Sequence, residues 1–147
     1  MLDFIRIACA VPAVRVGDTA KNAEDICAYI EKADGERADI VLFPELALTG
    51  YSCQDLFFQD TLWTGVQQGI RKIADCTKDH PNITAAVGLP VRTGMRMYNC
   101  AAVISRGKIH ALVPKTYIPN YNEFYEKRWF SSGAEVTEDV AELLGEP

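Results

Sequence analysis

The feature that most constrains the fold is a set of three apolar runs in the second half of the chain, with only short turns between them. The runs cover residues 83–91, 98–105 and 109–114, and the turns contain Thr93-Gly94 and Arg106-Gly107-Lys108. Consecutive strands joined by tight turns predict an antiparallel meander. A sheet of this kind needs a covering layer, so the fold depends on what the first half of the chain supplies.

The first half predicts two strand-then-helix units. Apolar residues alternate over residues 5–11 and stop at Pro12, which indicates a strand. A helix start at Gly17-Asp18-Thr19 is followed by apolar residues at three- and four-residue steps as far as Gly35. Residues 40–43 are apolar at every position, as expected of a short strand covered on both faces. Helical spacing returns over residues 62–74.

The order of elements is therefore β-α-β-α-β-β-β. This order predicts an α/β fold with a mixed sheet and helices on one face, while the other face still has to be covered. The length of 147 residues suits one domain, and 48% hydrophobic with 24% charged residues is an ordinary globular balance. We expect one folded domain over residues 1–147.

Charge and cysteine usage exclude several classes of protein. A net charge of −5 argues against a general nucleic-acid binder. The five cysteines contain no C-x-x-C pair, so no metal site is predicted and reduced thiols are expected. The start has no basic leader, and no apolar run reaches about 18 residues. We therefore expect a cytoplasmic protein without a membrane partner.

Two charged residues each follow an apolar strand. Glu45 comes directly after Pro44, at the carboxyl end of the second predicted strand, where ligands bind in α/β folds. A general base is one interpretation, and a glutamate in a first helical turn is the other. Lys115 follows the last strand and suits an oxyanion-binding role or an ordinary solvated strand end. The aromatic segment after Lys115 favours a pocket or an interface.

Two segments carry a family resemblance. The stretches FPELALTGYSCQDLF (residues 43–57) and KTYIPNYNEFYEKRWF (residues 115–130) resemble the carbon–nitrogen hydrolase (nitrilase) superfamily. The extensions GYSCQDLF and PNYNEFYEKRWF are most similar to the branch formed by the glutaminase domains of glutamine-dependent NAD⁺ synthetases. The resemblance implies an incomplete α-β-β-α sandwich, with most of one of the family's two sheets present and much of the partner sheet missing. The family's sandwich packs against a second subunit, and the uncovered sheet face favours self-association, so a homo-oligomer is expected.

The resemblance also implies roles for particular residues. In this family a glutamate takes the proton of a cysteine thiol, a lysine stabilises the tetrahedral oxyanion, and the thiolate attacks the amide. Glu45 matches the base and Lys115 matches the oxyanion-stabilising lysine. Tyr51 and Tyr121 match tyrosines that line the glutamine pocket, with plain aromatic packing as the alternative. Glu126 matches a further acidic position near the substrate, with an ordinary ion pair as its alternative.

The chain departs from the family in one respect. The family's nucleophilic cysteine follows the lysine, whereas the last cysteine here is Cys100. Cys53 and Cys100 are interpreted as inert thiols. The loop that grips ATP in a synthetase domain is also missing, so ATP and Mg²⁺ are expected only in a synthetase domain outside this chain, and no cofactor is expected here. The chain is therefore expected to be the first part of a catalytic domain, inactive by itself.

Three functions stay open at this point. The first is part of a glutamine amidohydrolase that supplies ammonia for ATP-dependent amidation in NAD⁺ biosynthesis. The second is part of a stand-alone amidase or nitrilase that acts on another small amide. The third is a non-catalytic interaction module that keeps the scaffold.

Overall fold

A computed structural model describes residues 4–137 of the chain. The described part contains five strands, two long helices and three short 3₁₀ segments. The strands are β1 (Ile7–Cys9), β2 (Ile40–Leu42), β3 (Thr84–Thr93), β4 (Arg96–Ser105) and β5 (Lys108–Pro114), the helices are α1 (Thr19–Gly35) and α2 (Asp60–Cys76), and the 3₁₀ segments are Tyr51–Phe58, Glu126–Arg128 and Gly133–Glu135.

The five strands form one mixed sheet in the order β1-β2-β3-β4-β5. The pairs β1–β2 and β2–β3 are parallel, and the pairs β3–β4 and β4–β5 are antiparallel. The parallel strands are joined by α1 and α2, because a parallel pair needs a crossover connection. The α/β class and the mixed sheet with its meander are thereby confirmed.

Local sequence explains where these elements begin and turn. The side chain of Asp18 accepts a hydrogen bond from the Lys21 backbone N–H, which caps α1 at the predicted start. The turn between β4 and β5 places both Arg106 and Gly107 at positive φ (52° and 78°). Two central residues at positive φ match the twist of the flanking strands, so this short loop closes the hairpin.

The core lies between the helices and one face of the sheet. Ile26 and Ile30 of α1 and Val66 and Ile70 of α2 are fully buried against residues such as Val87. A second, smaller cluster contains Leu46, Cys53, Phe57, Leu62, Met97 and Phe130, and it packs beneath the loops that follow the strands. The two helices therefore cover the sheet on one side only.

Two expectations about the first strands are wrong in detail. The alternating residues 5–11 form a strand only at Ile7–Cys9, because β1 is an edge strand whose one partner, β2, has three residues. The β2 run was expected to be covered on both faces, yet Leu42 is 41% exposed while its neighbour Val41 is fully buried. The face of the sheet without helices carries apolar side chains that stay exposed within residues 4–137. They are those of Ile7, Leu42 and Val113.

No helix in residues 4–137 is both long and apolar enough to cross a membrane.

Candidate active site

Glu45 lies in a tight turn that is held against the middle of β3. The Phe43 N–H donates to the Ala86 carbonyl (2.9 Å), and the Leu48 N–H donates to the Gly88 carbonyl (3.1 Å). A Cβ atom on Gly88 would lie 2.4 Å from both the Pro44 carbonyl oxygen and the Leu46 nitrogen. The missing side chain of Gly88 thus lets the turn approach β3 and fixes the position of Glu45.

Lys115 follows the end of β5 and reaches Glu45. Its backbone N–H donates to the Asn99 carbonyl (2.8 Å), which extends the pairing of β5 with β4 by one residue. Its Nζ lies 2.7 Å from Oε1 of Glu45. The two residues are 70 positions apart in sequence. The predicted base and the predicted oxyanion-binding lysine therefore meet at one edge of the sheet.

A second carboxylate, that of Glu126, also binds Lys115. Oε2 of Glu126 lies 3.0 Å from Nζ, and the Glu126 residue is only 2% exposed. Burial lowers the pKa of Lys115, but its hydrogen bonds to Glu45 and Glu126 outweigh that effect and raise it overall. Lys115 is consequently held as an ammonium group between two carboxylates.

The hydroxyl group of Tyr51 also contacts the buried carboxylate of Glu126. This hydroxyl donates to Oε1 of Glu126 (2.8 Å). Burial, followed by this hydrogen bond and the charge of Glu126, raises the pKa of Tyr51, so the phenol stays protonated. Tyr51 and Glu126 were predicted as substrate-binding residues; in the structure Glu126 binds Lys115, and Tyr51 binds Glu126.

Asn99 is a member of the site that the sequence interpretation missed. Its side-chain amide, in a residue that is 4% exposed, donates to Oε1 of Glu45. The sequence did contain an indication of this role: Asn99 is a polar residue within the apolar run of β4, and a buried polar group requires a hydrogen-bond partner. Asn99 thus connects the two catalytic candidates: its carbonyl holds the Lys115 backbone and its amide holds Glu45.

The segment that carries Glu126 is clamped to the segment that carries Tyr51. The Arg128 guanidinium binds Asp55 through two bonds of 2.7 Å, and the Trp129 indole N–H donates to the same carboxylate (3.0 Å). The hydrogen bonds from Arg128 hold the pKa of Asp55 at about 2. Phe57 packs beside Trp129 with ring centroids 5.8 Å apart. These contacts keep the two 3₁₀ segments together.

An open cleft of about 780 Å³ lies beside Lys115. Tyr121 is 65% exposed and lines this cleft, together with Ile118, Lys127 and Phe130. Among the predicted site residues, Lys115 and Tyr121 line this cleft, whereas Glu45, Tyr51 and Glu126 do not. The cleft is large enough for a small amino-acid amide.

None of the five cysteines, all within the described residues, hydrogen-bonds to Glu45 or Lys115. Cys53 is buried, and its thiol donates to the Thr49 carbonyl (3.1 Å). Burial raises the pKa of Cys53, and burial raises that of Cys100 to about 12. Both thiols stay protonated, which suits packing and does not suit nucleophilic attack.

Metal binding was not expected, and residues 4–137 bring together no group of three His, Cys, Asp or Glu side chains that could hold an ion.

Comparison with known proteins defines the class of this chain. The family model described as "Carbon-nitrogen hydrolase" matches residues 6–144. The chain belongs to the carbon–nitrogen hydrolase family, and the resemblance seen in the two sequence segments is confirmed.

Two curated relatives belong to the branch of the family that the sequence segments resemble. A glutamine-dependent NAD⁺ synthetase of Xylella fastidiosa is 39% identical over 148 residues, which cover all of this chain and 27% of that protein. The enzyme of the same name from Mycobacterium tuberculosis is 36% identical over 130 residues, covering 88% of this chain and 19% of the relative. The chain thus spans about a fifth to a quarter of the curated relatives it matches.

Solved structures agree with the fold. A glutamine-dependent NAD⁺ synthetase from Acinetobacter baumannii, in complex with ADP, superposes with a TM-score of 0.79 and 28% identity, covering 88% of this chain and 24% of that one. A nitrilase-superfamily amidase from Nesterenkonia gives a TM-score of 0.77 at 23% identity, with 48% of its chain covered. The amidase comparison shows the shared fold alone.

Proposed function

We propose that this chain is the amino-terminal part of a glutaminase domain that releases ammonia from glutamine for ATP-dependent amidation in NAD⁺ biosynthesis. The observation that carries the proposal is the contact of 2.7 Å between Lys115 and Glu45 beside an open cleft. The glutamine-dependent NAD⁺ synthetases that are 36–39% identical support the substrate. ATP and Mg²⁺ would act only in a synthetase domain outside these residues.

Glu45 has the geometry of a general base. Its Oε1 accepts hydrogen bonds from Lys115 and Asn99, whereas its Oε2 has no hydrogen-bond partner within residues 4–137. The free oxygen is the one available to take a proton from a nucleophile. Its side chain is 42% exposed, so an incoming group can reach it.

Lys115 has the geometry of an oxyanion-stabilising group. It is held as an ammonium group, and a negative charge that develops beside it would be stabilised by a donor that is already in place. Glu126 acts on Lys115, because its buried carboxylate is satisfied by Nζ and by Tyr51. We therefore assign Glu126 and Tyr51 to positioning Lys115, while a direct contact of either with substrate stays a prediction.

The chain holds two of the three groups that covalent amide hydrolysis requires. Without a reactive thiol at the site no acyl-enzyme forms, so we expect no ammonia release from glutamine above background. A coupled ammonia assay on the purified chain tests this. Turnover that disappears in Glu45→Gln would contradict it and would require a substitute nucleophile.

A protein in which this chain is joined to the remaining part of a glutaminase domain, including its nucleophilic cysteine, tests the positive part of the proposal. It should release ammonia from glutamine, and Glu45→Gln or Lys115→Ala should each lower kcat/KM by about 10²–10³-fold. Acetamide and propionamide serve as competing substrates. Faster turnover of these simple amides than of glutamine would favour the stand-alone amidase function instead.

We also propose that the chain forms a homo-oligomer through the face of the sheet that the helices leave open. Ile7, Leu42 and Val113 are each 41–56% exposed on this face. A second copy that covers these side chains stabilises the complex, because apolar surface is removed from water. The cytoplasmic location expected from the sequence stays a prediction.

A further inference from the structure

Cys27 and Cys76 form a pair of thiols between the two helices, away from the candidate active site. Cys27 lies in the middle of α1, and Cys76 is the last residue of α2. The Cys27 thiol lies 4.0 Å from the carbonyl of Lys72, one turn before Cys76 in α2, and the Cys76 thiol lies 4.0 Å from the carbonyl of Cys27 itself. Each thiol thus packs against the backbone next to the other.

Both thiols are accessible, unlike Cys53 and Cys100. Cys27 and Cys76 are partly exposed, whereas the other two are buried. The turn after α2 leads into the amino end of β3, so the pair lies at the end of the parallel strands opposite to Glu45. A reaction at the pair would leave the Glu45–Lys115 contact untouched.

The positive charge of the His80 side chain acts on Cys76 and favours its thiolate form. A hydrogen bond from the Cys27 thiol lowers the pKa of Cys76 to about 7, and the positive charge of His80 acts in the same direction against the carboxylates of Asp79 and Glu31. The same hydrogen bond, followed by burial, raises the pKa of Cys27. His80 is held by Asp34, with Nδ1 2.9 Å from Oδ2.

We propose that Cys27 and Cys76 are a redox-active pair that forms a reversible disulfide between α1 and α2 on exposure to hydrogen peroxide. The Cys76 thiolate attacks a peroxide oxygen, the O–O bond breaks, and hydroxide leaves and takes up a proton to become water. The resulting sulfenic acid is attacked by the Cys27 sulfur, its S–O bond breaks, and a second water carries away the Cys27 proton. Two thiols and one peroxide thus give one disulfide and two waters, and an added dithiol reverses the reaction.

The test uses the intact chain after full reduction and removal of the reductant. One equivalent of hydrogen peroxide should lower the number of thiols that react with Ellman's reagent under denaturing conditions from five to three. Peptide mapping should find Cys27 joined to Cys76 within one chain, and dithiothreitol should restore all five thiols. The midpoint of urea unfolding should move upward in the oxidised form, because the cross-link constrains the unfolded chain.

Three variants make the test specific. Cys27→Ser should abolish the intramolecular disulfide and leave a sulfenic acid on Cys76 that dimedone traps. Cys76→Ser should remove both products, while Cys9→Ser, at an exposed cysteine on β1, should behave as the wild type. A disulfide that maps to other cysteines, or a pair that stays reduced while Cys9 oxidises, would overturn the proposal. Circular dichroism verifies that each variant is folded.

Discussion

At the scale of single residues, the site depends on Gly88 and Asn99 as much as on the charged groups. Gly88 makes room for the turn that carries Glu45, and Asn99 holds the backbone of Lys115 and the carboxylate of Glu45. Neither residue carries a charge, and both lie within strands of the meander. The chemistry of Glu45 and Lys115 is therefore positioned by uncharged residues of β3 and β4.

Gly88→Ala should destabilise the fold by about 1–3 kcal/mol, because the new methyl group would overlap the backbone of Pro44 and Leu46. The free energy of unfolding in urea measures the loss. Gly35→Ala is the matched control, since a Cβ atom there meets nothing within 4 Å, and it should leave stability unchanged or slightly higher. Equal stability of the two variants would show that the turn does not depend on Gly88.

Sequence patterns predicted where Glu45 and Lys115 lie, because each follows an apolar run that the structure confirms as a strand, while their catalytic roles stay a prediction. These patterns were not sufficient for Asn99, whose role depends on which strand lies beside which. The register of β4 against β5 places Cys100 opposite Pro114 and so brings Asn99 next to Lys115. Such pairing between strands is set by tertiary packing, which no local pattern records.

At the scale of elements, the contact between His80 and Asp34 joins the end of α1 to the turn after α2. The hydrogen bond to Asp34 raises the pKa of His80 above its ordinary value of 6.5. The protonated imidazole also faces Cys76 and Glu31. A folded-state pKa above the unfolded one means that the contact stabilises the fold fully at pH below 6.5 and that this stabilisation is lost as the pH rises through the folded-state value.

His80→Gln should therefore lower the urea midpoint more at about pH 6 than at about pH 8.5. Asp34→Asn should reproduce the effect, and the comparison should be repeated with Cys76→Ser, because the Cys76 thiolate faces His80. His110→Gln, at a position in β5 that contacts Ser105 and no carboxylate among the described residues, provides the matched histidine substitution. A His80→Gln penalty that is the same at both pH values would contradict this interpretation.

The helices and the meander agree with the sequence patterns more closely than the first strand does. Asp18 caps the start of α1 as predicted, because capping is a local property, and the helix ends at Gly35 with Glu36 as its C-cap. The alternation over residues 5–11 indicated a strand but not its inner face: Ala8 and Ala10 pack toward the helices, while Ile7 and Val11 face outward. The apolar side of β1 therefore belongs to the open face of the sheet.

At the scale of the whole molecule, the sheet face opposite to the helices is the open face, and it exposes apolar side chains within the described residues. It includes the exposed apolar side chains of Ile7 in β1, Leu42 in β2 and Val113 in β5. Each Å² of apolar surface that is removed from water stabilises the covered state by about 25 cal/mol. A second copy offers an identical face, which makes a two-fold symmetric contact possible.

Analytical ultracentrifugation should accordingly find the wild-type chain as a dimer or larger oligomer at micromolar concentration. The double substitution of Leu42 and Val113 by Lys should shift it to the monomer, because charges placed on the face oppose its burial. Met95→Lys, at a fully exposed turn position between β3 and β4, is the control and should leave the oligomer intact. A wild-type monomer that binds no hydrophobic dye would contradict the proposed association.

The most direct test of the account is the pKa of the Lys115 ammonium group, followed by NMR through its Nζ or Cε resonances. If Glu45 and Glu126 hold this group as the structure describes, Lys115 should titrate above its ordinary value of 10.5, and Glu45→Gln or Glu126→Gln should each move the titration to lower pH. If Lys115 titrates at or below 10.5 and responds to neither substitution, the shared site does not exist and the proposed catalytic function fails with it.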